Sequence, residues 1–139
     1  MGRSFDYTDF QNHRNNFSNM AMKFDAWLRA FMLQEGLRFI RDVKVRTPVD
    51  TGDLRNHWQL SKIYRTGDAI AVEFVNPMRY ATFVEYGHAK PYKSGATEGS
   101  ADWVEGYFMM TVALEDIYRA MPTRFDAEFS KFLASLKVI

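Results

Sequence analysis

Glu85 and His88 stand three residues apart, the spacing that carboxylate-bridged di-metal sites use on helix bundles. Such a site needs a second Glu-x-x-His pair and two further glutamates. The chain has three histidines, His13, His57 and His88, and no second copy of the pair. Gly87 falls inside the spacing and ends a helix before His88 is reached. His57, with Asp50 or Asp53, offers an acid–base pair to set against His88. No serine lies in a nucleophile elbow, Ser61 and Ser94 are isolated, and there is no cysteine to act as nucleophile or thiolate ligand. The glycines of Gly95-Ala-Thr-Glu-Gly99 lack the lysine–hydroxyl ending of a phosphate loop. Turn-forming aspartates, surface histidines and a capped helix end account for all of these residues. The sequence therefore predicts no catalytic, cofactor-binding or metal-ligating residue and no cofactor. Two competing readings remain. One is a small metal-dependent hydrolase using Glu85, His88 and His57. The other is a nucleic-acid-binding protein using Arg38, Arg41, Lys44 and Arg46. A net charge of +1 argues neither for nor against a polyanionic partner.

The elements that must position these residues fit one domain, since 139 residues is one domain's worth. No apolar run is long enough to span a membrane, and no apolar signal core opens the chain. Residues 1–17 are polar and read as a flexible arm; residues 18–139 read as a single α+β domain. A helix is expected from Ser18, its N-cap, to Arg46, with Phe24, Leu28 and Phe31 on one stripe. Leu33, Leu37 and Ile40 continue that stripe with a phase shift, near which Gly36 sits. Pro48 ends the helix and Asp50-Thr-Gly-Asp53 turns the chain. Two strands follow. The first runs over 58–64, with Trp58, Leu60 and Tyr64 on one face, and the second over 69–75, with Ile70, Val72 and Phe74 on one face. They are joined by a turn at Gly67. Asn76-Pro77 breaks the second strand. Tyr80 to Tyr86 reads as a short helix with Tyr80, Phe83 and Val84 inward. A flexible loop at 88–101 comes next. Asp102 and Glu105 form a capping box for a further helix striped by Trp103, Tyr107, Met110, Leu114, Ile117 and Met121. Pro122 interrupts it, and a last helix carries Phe125, Phe129, Phe132 and Leu136. Eight methionines and an aromatic content of 16% exceed what one small core needs, which points to apolar surface kept for a neighbouring subunit.

Three motifs in order carry a resemblance. They are Thr47-Pro-Val-Asp-Thr-Gly-x-Leu-Arg55; then Asn76 with Tyr80-Ala-x-Phe-Val-Glu-Tyr-Gly-His88; then Trp103-Val-x-Gly-x-Phe-Met-Met110. Together, over about residues 20–120, they are similar to the tail-component family of long-tailed phages and prophages, whose members resemble tail-completion or head–tail joining proteins. The resemblance implies an α+β fold in which a long N-terminal helix and further helices pack on a small antiparallel β-sheet. It implies a structural virion protein, not an enzyme, that forms or joins a ring at the head–tail junction. The ring is expected to be hexameric and to be assembled in the host bacterial cytoplasm. Expected partners are copies of itself, the adjacent head-completion or connector protein, and the tail-tube or tail-terminator protein. DNA passes through the assembled ring without specific binding. The motif residues become shape: Pro48, Asp50, Gly52 and Leu54 at the turn from helix to sheet, Asn76, Tyr80, Glu85 and Gly87 around the short helix, and Trp103 and Gly106 anchoring the next helix. Lys90, Tyr92 and Lys93 are the candidate interface residues.

Overall fold

In the computed structural model, which describes residues 7–89 and 103–136, one helix organises everything else. Helix α1, Tyr7–Arg46, is 40 residues long. Its buried residues Phe31, Glu35, Gly36, Phe39 and Val43 recur every four residues or so, which draws one stripe along the helix. Leu33 and Leu37 lie off that stripe and are exposed, so the expected phase shift does not occur. The helix also starts well before Ser18, and over residues 7–17 the expected arm is a helical extension. A single turn, α2 (Asp53–Asn56), leads into strands β1 (Gln59–Thr66) and β2 (Ala69–Val75), which form an antiparallel hairpin. Gly67 takes a φ of +57° in its two-residue turn.

The hairpin lies across the C-terminal half of α1. Leu60, Val72 and Phe74 close over Gly36, and a Cβ there would come within 2.8 Å of the Leu60 side chain. Gly36 is thus the place where the sheet's side chains approach the helix. The register slips between Leu60 and Lys62, and this bulge reverses the alternation along β1. Ile63, opposite Val72, takes the inward position that strict alternation gave to Tyr64. Tyr64 turns outward, beneath the Lys62 ammonium 4.9 Å from its ring centre.

After Asn76 the chain forms α3 (Ala81–Tyr86), strand β3 (Gly87–Ala89), strand β4 (Trp103–Glu105) and helix α4 (Met109–Ser135). Strands β3 and β4 make a second two-stranded antiparallel ladder. Trp103 is therefore a strand residue, 56% exposed, and Tyr107 is 62% exposed; neither belongs to a helical stripe. The expected capping box fails for the same reason, because the helix starts seven residues after Asp102. Pro122 lies inside α4, which runs through it unbroken. Pro122 removes one N–H from the ladder, opposite Tyr118, and both residues are on the exposed side, where water can replace the missing donor. In α3 the inward residues are Ala81, Val84 and Glu85; Tyr80 and Phe83 are exposed.

The core gathers Phe39, Val43, Leu54, Trp58, Met109, Ala113 and Ile117 from α1, α2, the start of β1 and α4. Beyond it, α1 and α4 continue together as an aromatic seam. Phe24, Trp27 and Phe31 interleave with Phe125, Phe129 and Phe132 at ring-centre distances from 5.3 to 6.3 Å. Between seam and core, the buried Glu35 carboxylate is gripped at both oxygens by the Arg124 guanidinium, its Nε at 2.6 Å. That contact raises the Arg124 pKa above its already high ordinary value.

Candidate functional site

Where the sequence motifs converge, the structure places a joint, beside a small pocket lined by Trp58, Phe74, Asn76, Glu85 and Met109. Thr47, the residue after α1, is almost fully buried. Its hydroxyl donates to the Val43 carbonyl at 2.6 Å and accepts the Trp58 indole N–H at 2.9 Å. Its own carbonyl accepts from the Arg55 guanidinium at 3.0 Å. Pro48 follows and stops the helix. Asp50 is exposed in the bend, and Gly52, at φ +90°, opens α2. That positive φ is the reason for a glycine here. Leu54 then drops into the core. The Asn76 side chain ties the end of β2 back to this turn: its amide donates to the Leu54 carbonyl at 2.8 Å, and its oxygen accepts the Met78 N–H at 3.1 Å.

Glu85 has the most specific environment in the chain. It is 4% exposed, yet no cation among the described residues pairs with it. Its two oxygens accept the backbone N–H groups of Met110 at 2.8 Å and Thr111 at 2.9 Å, and the Thr111 hydroxyl at 2.7 Å. Met110 and Thr111 are the second and third residues of α4, where backbone donors have no partner within the helix. Phe108, at the N-cap position, has no side-chain oxygen to offer. Glu85 supplies the cap from another element, and its charge sits at the positive end of the helix dipole. The backbone continues the clasp: Tyr107 N–H donates to Val84 at 2.8 Å and Phe108 N–H to Glu85 at 3.0 Å.

This clasp requires two glycines. Gly87, at φ +86°, and Gly106 cross back to back. A Cβ on Gly87 would strike the Val104 carbonyl oxygen, and one on Gly106 would strike the Glu85 carbonyl oxygen. Phe108 adopts the left-handed region at φ +47°, the one such non-glycine residue among those described. Gly87 thus ends α3, but it starts a paired strand instead of releasing a loop directly.

The residues singled out for catalysis are not brought together. Glu85 points into the start of α4, while the His88 ring lies 5.5 Å from Phe83. The His57 Nδ1–H donates to the Asp53 carbonyl at 2.6 Å. Among the described residues no group of histidines and carboxylates can hold a metal ion. In the basic group, Arg38 faces Glu35 at 3.8 Å, and Arg46 pairs with Asp42 at 3.3 Å and with Asp116. The expected interface residues Lys90, Tyr92 and Lys93 lie outside the described residues, as does most of the 88–101 loop. Sequence reasoning missed Thr47 as a buried hydrogen-bonding hub and the Glu35–Arg124 pair. The signal for the latter was a glutamate on the apolar stripe of α1 and an arginine beside Phe125.

The remaining surface is rich in rings. Phe83, Tyr86, Trp103, Tyr107 and Phe108 are all at least 43% exposed around the α3–β3–β4 clasp. No helix is long and apolar enough to cross a membrane among the described residues.

No curated protein and no solved structure matches the chain. One family model does, over residues 11–87, and it is described as "Bacteriophage HK97-gp10, putative tail-component". The match takes in the helix, the turn, the hairpin and the short helix, and ends at Gly87, before the third motif. By that match over more than half its length, the chain belongs to the HK97-gp10 family of phage tail components.

Proposed function

We propose that this chain is a tail-completion subunit that forms or joins a ring at the head–tail junction of a long-tailed phage. The observation that carries the reading is the family match combined with the way the motif residues are used. The Glu85 carboxylate, the Thr47 hydroxyl and the Asn76 amide all direct their hydrogen bonds inward, to hold elements together. Asn76 and Glu85 line a small pocket, but the polar atoms of both are engaged in these bonds. The work of such a protein is to present a fixed shape, and it is not an enzyme.

A closing ring needs two different patches on each subunit that fit each other. The exposed rings around the α3–β3–β4 clasp suit one of them, because aromatic side chains are enriched where protein surfaces meet. The partners are further copies, six in the assembled ring, together with the head-side connector and the tail-tube or tail-terminator protein. The lumen passes DNA, and strong phosphate binding there would hinder ejection. The pairing of Arg38 and Arg46 with acidic neighbours fits a surface that does not grip duplex DNA.

The test is a nonsense mutation in the gene, with lysates examined by electron microscopy. Full heads and tails that accumulate unjoined or unfinished, and are rescued by supplied protein, support the reading. Normal, infectious particles made without the protein would refute it.

A further inference from the structure

A second apolar stripe runs along α1, on the side that neither the hairpin nor α4 covers. Ala26, Ala30, Leu33 and Leu37 are all exposed, the two leucines by 39% and 43%. Spacings of four, three and four residues keep them on one face, and half-buried Ile40 carries the line three residues further. Alternating fours and threes are the pattern by which one helix pairs with another along its length. The alanines keep the first part of the stripe low, so a partner backbone can come close there.

The charges around the stripe are of one sign. Lys23, Arg38, Arg41 and Lys44 flank it. Lys23, Arg41 and Lys44 form no ion pair among the described residues. Arg38 comes only within 3.8 Å of Glu35, whose two oxygens Arg124 already holds. The acids of the same stretch, Asp25, Glu35 and Asp42, lie on other faces of the helix, and each is bound to an arginine. The stripe therefore has a basic rim and no acid of its own to neutralise it. Along one edge, a cavity of about 500 Å³ opens between α1 and α4. Trp27 and Phe31 give it an apolar wall, and Ala30 and Arg38 belong both to it and to the exposed face. It has room for a large apolar side chain of a partner, with the Arg38 guanidinium at the rim.

We propose that this face of α1 binds an acidic amphipathic helix of another protein. The partner's apolar residues lie along Ala26 to Leu37, and its carboxylates meet the basic rim. Two copies of this chain set face to face would bring both sets of cations together with no carboxylate between them. Duplex DNA would satisfy the cations but leave Leu33 and Leu37 without apolar cover. The face belongs to the free subunit, so its test does not depend on where the subunit sits in the virion.

The experiment uses two synthetic helical peptides of three heptads with the same leucine stripe, one flanked by glutamates and one by lysines. Each is labelled and titrated at nanomolar concentration with full-length protein, as is a labelled DNA duplex, and fluorescence anisotropy reads the binding. The proposal expects the glutamate-flanked peptide to bind and the lysine-flanked one and the duplex to bind at least tenfold more weakly. The double variant Leu33→Gln, Leu37→Gln should lose tenfold or more in affinity. The double variant Lys23→Glu, Arg41→Glu should reverse the preference between the peptides. Both should keep the wild-type circular dichroism spectrum, since all four side chains are exposed. No binding of the glutamate-flanked peptide at about 100 µM protein overturns the proposal. So does equal binding of the two peptides, which marks a merely apolar surface, or tighter binding of the duplex. A wild-type dimer by light scattering that the leucine double variant abolishes also overturns it, because a second copy then covers the face.

Discussion

Replacing Glu85 by glutamine tests the joint at the point where the chain commits most to it. The substitution keeps the side chain's size and leaves one oxygen. If that oxygen stays with Thr111, it still accepts the backbone N–H and the hydroxyl that Oε1 accepts now. The new NH2 then faces the Met110 N–H, donor against donor, where the Oε2 contact is now 2.8 Å. An unsatisfied buried donor costs about 1–3 kcal/mol. Loss of the negative charge at the start of α4 adds about 0.3–2 kcal/mol. The expected loss is roughly 2–4 kcal/mol, and Glu85→Ala should lose more, since all three bonds disappear. The assay is urea unfolding followed by circular dichroism, with the midpoint read at an unchanged slope. Glu85→Asp, one methylene shorter, should resemble the glutamine variant because its carboxylate falls short of α4. Glutamine and alanine variants within about 0.5 kcal/mol of wild type would refute the capping argument and return Glu85 to the list of residues free for chemistry.

Gly87→Ala and Gly106→Ala each drive a methyl group into a facing carbonyl, and each should lower stability by about 2 kcal/mol or more in a thermal melt. Arg124→Met leaves the buried Glu35 carboxylate with only Arg38, 3.8 Å away. A loss of about 3–5 kcal/mol is expected, much of it recovered by combining it with Glu35→Met, which the double-mutant cycle measures. Asp25 is held below its ordinary pKa of 3.8 by hydrogen bonds, first from Arg29 and then from Arg65. Its contribution to stability is therefore present above 3.8 and lost as the pH falls through the lower folded value. Urea unfolding at a series of acidic pH values should show a shallower decline for Asp25→Asn than for the wild type.

Much of the fold was legible in the chain because its punctuation is local. Pro48, Gly52, Gly67 and Asn76-Pro77 mark boundaries through backbone restrictions that act wherever they occur, and the hairpin fell between them. The misreadings share a different cause. Trp103 and Tyr107 extend the helical spacing of Met110 and Leu114 backwards, yet their segment is held open by pairing with β3 and by the Gly87–Gly106 crossing, contacts between residues far apart in sequence. Tyr64 was placed inward because a bulge leaves no mark on the alternation of side chains. Leu33 and Leu37 looked as apolar as Phe39 and Val43, and only the positions of the hairpin and α4 decide which of the two stripes is covered. At the joint, Gly87 announced itself as a stop. Glu85 could not announce itself as a cap for α4, because the donors it serves lie 25 and 26 residues further on.

The proposal of a virion subunit is tested most directly by cryo-electron microscopy of intact, infectious particles of the phage that encodes the chain. The account expects a ring of density at the head–tail junction into which α1, the hairpin and α4 fit as a repeated unit. Particles complete at that junction, with every ring there assigned to other chains and this one absent, would contradict it.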